Sequence, residues 1–394
     1  MTVQVVIHVS APWERFHRRP LIEALAKVGR GRLDVLIVDR PLDLVVAPLR
    51  RRSDLWNWLT TRSWRTQRHT ENLRVLKPFV PLHEHLAAKN GWLANACERV
   101  LQAQVEKEMP RVEGVRRIEW IYYPEQAIHL RRAGETFAVY ECYDEYNADP
   151  VGGGARRKAL EDDLLRRADL VLTTASDLWE ARRERHPNVR LIPNAVDYER
   201  LSEAQAPGAL HPEFEAIPGP RIGFLGYFNQ AVDLPFLEAA VGRESGWSWI
   251  FIGPPGGADE AALARLRALP NTHFLGYVPH GDLAPVLRGL SVGIIPFNVE
   301  GAYHQAINPL KLYEYMAAGL PVVSTALREV ARFAPPVILA ETVEEFLTGI
   351  RRLLNDEAAW QEARERGDLL ARQETWEVRA TQILAHLEEG LIDA

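Results

Sequence analysis

The segment Asn308–Thr325, NPLKLYEYMAAGLPVVST, places Lys311 and Glu314 three residues apart. At helical spacing the two share one face. Asn308 suits an N-cap and Pro309 the first helical position, where its missing N–H costs nothing. The pattern predicts a helix over Leu310–Ala318 that ends at Gly319 in a left-handed conformation, after which Pro321 restarts the chain into a strand. A helix N-terminus offers free N–H groups and a positive dipole end, which is a phosphate site, and Lys311 adds a full charge beside it. Glu314, one turn deeper, can accept from two neighbouring hydroxyls, as a ribose presents. Phosphate followed by ribose is the layout of a nucleoside diphosphate. On spacing alone, a surface helix with a Lys–Glu pair worth ~0.2–0.5 kcal/mol fits equally well.

Other residues could serve such a site. Gly226 and Tyr227 follow the strand Arg221–Leu225, and Tyr277 and Val278 follow Thr272–Leu275. Asp144, after Phe137–Cys142, could orient a hydroxyl or accept its proton. The alternative is a loop acid that caps the next helix, and acids at strand carboxyl ends favour the site role; Glu141 and Glu145 are weaker candidates. Asp233 could bind a hydroxyl or N-cap the helix from Leu234.

These positions require a particular scaffold. The chain has 394 residues, too many for one ordinary core and suited to two domains. Apolar strand runs alternate with helical stretches: Val3–Val9, Asp34–Val38, Glu119–Tyr123, Leu170–Thr174 and Val189–Ile192, then Ser248–Ile252, Gly293–Pro296, Pro321–Ser324 and Val337–Ala340. Helices are expected at Leu21–Val28, Leu86–Met109, Arg156–Ala168, Leu234–Val241, Glu260–Ala268 and Leu283–Gly289, and again after Val343. This is an α/β chain of two Rossmann-like parallel-sheet domains, with ligand sites at the strands' carboxyl ends. Residues 202–220 contain four prolines and two glycines and read as the linker. Residues 1–201 form the first domain, joined by a C-terminal helix at about 377–394, and residues 221–376 form the second.

The Asn308–Thr325 segment resembles the donor helix of retaining GT-B glycosyltransferases of family four, the bacterial polysaccharide and cell-envelope type. Arg15–Pro20 after Trp13, VYECYDEY at Val139–Tyr146, Asp169–Val171 with Ser176, LIPNAVD at Leu191–Asp197, the opening strands of the second half and Trp376 are similar to that family in the same order. The resemblance implies a GT-B architecture, two Rossmann-like domains facing across a cleft. It implies a metal-independent hexosyltransferase-like enzyme that moves a sugar, with retention, from a nucleotide-diphosphate sugar to a glycan or lipid-linked acceptor. No cofactor is implied beyond that substrate. Lys311 would contact the diphosphate, Glu314 the ribose, and Asn308, Pro309, Leu310, Gly226, Tyr227, Tyr277 and Val278 the rest of the donor, with Tyr277–His280 lining the base pocket largely through backbone. Asp144 and Lys311 would be catalytic; Trp13, Arg15 and Arg18 would meet the acceptor. The sequence departs from the family in three ways. Ala306 replaces the first glutamate of an E-x7-E pair. Tyr227 and Val232 replace an Arg and a Lys. The first loop, Ser10–Trp13, lacks glycines. A sugar-nucleotide epimerase and a non-catalytic sugar-nucleotide-binding protein are the rival readings.

Composition excludes other classes. Two cysteines cannot build a disulfide framework. No apolar run reaches the ~18 residues of a membrane span, and the N-terminus lacks a basic leader, so a cytoplasmic location is expected. No D-x-D, nucleophile elbow or G-x-G-x-x-G after a strand occurs; His83 and His85 read as surface residues, and Gly152–Gly154 as a loop. Residues 1–204 carry 33 basic and 29 acidic side chains, and residues 205–394 carry 14 and 24. With net charge -6, nucleic acid is not an expected partner. Arg50–Arg68 holds six arginines, three tryptophans and one acid. It fits either peripheral contact with the inner membrane face or a helix with a Trp core face.

Overall fold

The computed structural model describes residues 2–393 apart from 10, 44, 46–47, 49–51, 62–64, 83–89, 131–135, 147 and 149–153. His83, His85, Trp64, Gly152 and Gly153 lie outside the described residues. The chain forms two compact units, Met1–Ile192 with Arg379–Ala394, and Pro193–Val378.

The first unit contains β1 (Val3–His8), β2 (Leu33–Val38), β3 (Leu42–Asp43), β4 (Thr66–Arg68), β5 (Leu73–Leu76), β6 (Phe79–Val80), β7 (Arg117–Ile121), β8 (Phe137–Cys142), β9 (Leu170–Thr173) and β10 (Val189–Leu191). Eight of them form one sheet in the order β10-β9-β8-β7-β1-β2-β5-β4, with β3 and β6 paired separately. Val5 pairs with Val35 on one side and Ile118 on the other, both in parallel register. Only β4, against β5, is antiparallel in this sheet. Strands covered on both faces need continuous apolar runs, and every residue of β7, β8 and β9 is buried.

The second unit contains β11 (Arg221–Leu225), β12 (Ser248–Ile252), β13 (Thr272–Gly276), β14 (Val292–Ile295), β15 (Val322–Thr325) and β16 (Ile338–Ala340). Their order is β13-β12-β11-β14-β15-β16, every pairing parallel. The chain builds outward from β11 in one direction, then returns to build from β14 in the other. β11 and β14 therefore flank the topological switch point, where doubly wound sheets open a crevice beyond the strands' carboxyl ends. The first unit has the same switch between β1 and β7.

The expected linker at 202–220 is a folded part of the second unit, whose boundary falls at Pro193. Leu201, Ala204, Phe214 and Ile217 are buried in its core. Arg221 donates to the carbonyls of Phe214 and Ile217 at 2.9 and 2.6 Å and stacks on the Phe214 ring. Each large apolar side chain so buried contributes about 1.5–3 kcal/mol. The prolines shape short 3-10 turns at Glu203–Gln205 and Pro212–Glu215 rather than a free tether. The last helix, Trp376–Asp393, starts in the second unit, and its residues from Arg379 belong to the first.

Arg50–Arg68 is a helix at Arg52–Thr60, then strand β4. Trp56 is 67% exposed. Trp58 is half-buried: its indole donates to Lys77 O at 3.0 Å, and Arg65 lies 4.4 Å from its ring.

Candidate functional site

At the second unit's switch point, β11 ends in Leu225 and the chain turns through Gly226, with φ of 132°. Gly226 N–H donates to Ile252 O at 2.8 Å, which continues the ladder one residue past the strand. A methyl group on Gly226 would lie 3.2 Å from both Cε and Nζ of Lys311. The backbone dihedral and the space therefore both call for glycine. Tyr227, next in sequence, is exposed.

Lys311 comes from the helix Leu310–Ala317. Its Nζ stands 4.0 Å from the Phe297 ring centroid and 4.6 Å from that of Phe224. The residue is 8% exposed. Among the described residues its amine has neither a hydrogen bond nor an ion pair. Burial lowers it from an ordinary 10.5 to about 7 and outweighs the opposing charge of Glu314. The ring faces supply attraction that partly replaces lost water. An amine held this way lacks one thing, an anion.

The helix start differs from expectation. Pro309, with ψ of 119°, occupies the cap position, so Asn308 is one residue further out and Leu310 opens the helix. Asn308 is buried, and its carbonyl accepts from Asn194 Nδ2 at 2.7 Å. Pro309 contributes no N–H, so the helix presents the N–H groups of Leu310 and Lys311 first. Gly319 takes φ of 67°, the left-handed terminator its position implied.

Glu314 is 13% exposed and pairs not with Lys311 but with His280, whose Nε2 is 3.1 Å from Glu314 Oε1. That hydrogen bond raises the His280 imidazole above its ordinary 6.5. His280 opens a 3-10 turn after β13, and the preceding residues Tyr277 and Val278 are respectively exposed and packed partly on the core. The fold thus joins Gly226, Lys311, Glu314 and the turn after β13 at the carboxyl ends of neighbouring strands. Sequence reading missed Phe224 and Phe297, which look like plain core residues, and the side chain of His280.

The departures have visible causes. Val232, where the family resemblance implies a lysine, is buried in an antiparallel bridge with Phe297. A lysine there would start beneath the surface beside the ring that already carries Lys311. Ala306 is likewise buried. Asp233 is a helix cap: its Oδ1 accepts from Phe236 N at 2.9 Å.

In the first unit the expected acceptor residues separate. Trp13 is fully buried, with its N–H donating to Asp39 Oδ1 at 3.0 Å. It is a core side chain. Arg18 is buried too, ion-paired with the equally buried Glu141. Arg15 alone of the three is exposed. Asp144 follows β8, half-buried, and its Oδ1 accepts from Glu145 N at 2.9 Å. Glu145 is clamped by Arg182, which also holds buried Glu161 at 2.8 Å, so the Asp144 loop is anchored from both sides. Among the described residues no group of three His, Cys, Asp or Glu could hold a metal ion.

Comparison with known proteins bears on the fold and the family. Residues 219–356 match the family described as glycosyl transferases group 1. A Bacillus subtilis protein named as a teichuronic acid biosynthesis glycosyltransferase is 27% identical over 270 residues, 63% of this chain and 66% of that one. The matched stretch thus spans just under two thirds of the relative's length. Sucrose-phosphate synthase from Thermosynechococcus elongatus superposes with a TM-score of 0.73 at 17% identity, over 100% of both chains. HepE of Anabaena, solved with UDP and glucose, gives 0.68 at 14% identity over 98% of this chain and 99% of that one. The chain has the GT-B fold.

Proposed function

We propose that this chain is a glycosyltransferase that takes a sugar, with retention and without a metal ion, from a nucleotide-diphosphate sugar and delivers it to a glycan or lipid-linked acceptor of the cell envelope. The observation that carries the donor reading is Lys311: a buried amine without an anion, over two aromatic faces at a switch point, beside a glycine turn and a helix N-terminus. The similar proteins support the same class, one being named for teichuronic acid biosynthesis and one having been solved with UDP and glucose.

In this reading the second unit binds the donor. Lys311 and the first N–H groups of its helix stabilise charge on the leaving diphosphate, where a desolvated charge acts most strongly. Glu314 holds the ribose; Gly226, Tyr227, Tyr277, Val278, Asn308, Pro309 and Leu310 complete the donor site. The first unit binds the acceptor, with Arg15 at its surface and Asp144 orienting the reacting hydroxyl. Arg18 and Trp13 support that surface from beneath. The helix Arg52–Thr60 brings the protein to an anionic membrane surface through Trp56 and Leu59. The site of action is the cytoplasmic side of that membrane.

A thermal-shift panel of nucleotide sugars tests the class, since any donor that binds only the folded state raises the melting temperature. Calorimetry with UDP and GDP on Lys311→Ala and Glu314→Ala tests the site. Unchanged affinity in both variants removes the donor assignment. Donor consumption without any acceptor would instead identify an epimerase.

A further inference from the structure

We propose that His280 is a positioning residue for ribose recognition: its ring fixes the Glu314 carboxylate so that the remaining lone pairs receive both ribose hydroxyls. The inference rests on the nucleotide-binding reading and deepens it, because it assigns sugar discrimination to a side chain outside the motif that carries Glu314.

The geometry starts with what Glu314 does not do. It shares a helix face with Lys311 at i,i+3, yet Lys311 is drawn into the crevice toward Phe297 and leaves the carboxylate unpaired on its own helix. His280 takes Oε1 at 3.1 Å, and Oε2 has no hydrogen bond among the described residues. A carboxylate has about four acceptor positions. One occupied by His280 leaves enough for two hydroxyl donors.

The turn that carries His280 is closed by backbone contacts. Asp282 N–H donates to Pro279 O at 2.8 Å, closing the turn, and Val278 packs against the core just before it. Glu314 without this partner would be a partly exposed side chain on an outward helix face. Freezing its rotamers would then fall on the binding step. The partnership also crosses the sheet: His280 follows β13, two strands from β11, while Glu314 follows β14.

Charge around His280 comes from two elements. Glu314 faces it from the donor helix, with Lys311 one turn before. Arg200 and Asp197 act from the segment at the start of the second unit, one opposing the imidazolium and one favouring it. The hydrogen bond to Glu314 dominates, so the ring is more basic than a free histidine. The charge-assisted bond is in place at acidic pH and weakens to a neutral one as pH rises through the imidazole's value.

The test compares nucleoside 5′-diphosphates (UDP, GDP, ADP) with their 2′-deoxy counterparts by calorimetry on the full chain. The wild type is expected to prefer the ribonucleotide. In His280→Ala that preference should shrink by about three- to tenfold, with the deoxynucleotide affinity little changed. In His280→Gln, whose amide still donates, the preference should return while its dependence on pH between 6 and 8 disappears. In a Glu314→Ala background, His280→Ala should have no further effect. A wild-type ribose preference in His280→Ala overturns the inference while leaving the donor site standing. Failure of every diphosphate to bind the wild type overturns the donor reading and this one with it.

Discussion

The amine of Lys311 stands 4.0 Å from the centre of the Phe297 ring and, among the described residues, has no carboxylate partner. This placement conflicts with stability. A lysine whose amine falls from 10.5 unfolded to about 7 folded binds fewer protons when folded, so it destabilises the fold below pH 7. The cost fades as pH rises from 7 toward 10.5. Lys311→Met should therefore raise the melting temperature by a few degrees at pH 6 and by much less at pH 10. The same variant should lose nucleoside diphosphate binding by tenfold or more. Thermal unfolding at both pH values, with calorimetry, checks both halves; a destabilised variant at pH 6 would contradict the burial argument.

Binding should itself take up a proton. An anionic diphosphate favours the charged amine, whereas the empty site titrates near pH 7. Affinity should then fall with rising pH, approaching about tenfold per pH unit well above 7. Phe297→Leu keeps the bulk and removes the ring face, which is worth ~0.5–2 kcal/mol to a desolvated cation. The fall should begin about half to one pH unit lower in that variant. Diphosphate titrations across pH 6–9 measure the shift.

Gly226→Ala should be damaging out of proportion to one methyl. A φ of 132° is strained for any L side chain, and the new carbon would press on the end of Lys311. Strain of this kind costs about 1–3 kcal/mol. A lower melting temperature together with weaker diphosphate binding is the expected pair. Loss of stability alone would mean that Lys311 can move aside.

Much of this was readable in the sequence, for a physical reason. Strands buried on both faces are predominantly apolar, so Phe137–Cys142, Arg221–Leu225 and Ser248–Ile252 could be placed end to end, although the first also carries Glu141 and the others begin with Arg221 and Ser248. The edge strand Thr66–Arg68 has no such run and was hidden in an arginine-rich stretch. Prolines between 202 and 220 imitated a linker because turn composition does not reveal that Phe214 and Ile217 are buried. At the site, Lys311 and Glu314 share a local motif and were visible. His280 lies 34 residues from Glu314, and Phe297 reads as any strand-end aromatic, so neither left a local signature.

The burial of Arg18 separates support from contact. Arg18 and Glu141 are both about 1% exposed and paired. Removing one partner strands the other charge, at a cost of about 3–5 kcal/mol. Arg18→Met should therefore lower stability sharply, and the double variant Arg18→Met with Glu141→Leu should recover much of the loss. Arg15→Ala, at an exposed position, should leave the melting temperature almost unchanged. Denaturant unfolding of the three variants distinguishes them, and a neutral Arg18→Met would show that the pair is not a buried one.

The membrane proposal also sharpens once the side chains are located. Of the tryptophans in Arg50–Arg68, Trp58 is committed to the fold through its bond to Lys77 O and its contact with Phe79. Among the described residues of that stretch, Trp56 and Leu59, on the helix Arg52–Thr60, are the large apolar side chains offered to solvent. Indole and leucine at a headgroup boundary bind through buried apolar area, and nearby arginines add attraction to anionic lipid. Trp56→Ser with Leu59→Ser should thus reduce sedimentation with vesicles containing phosphatidylglycerol while leaving the melting temperature within a degree or two. Raising salt should release the wild type from the same vesicles, because the electrostatic part is screened beyond about 8–10 Å at physiological ionic strength. Wild-type protein that stays in the supernatant at low salt would remove the membrane from the account and leave Trp56 as a solvent-exposed side chain.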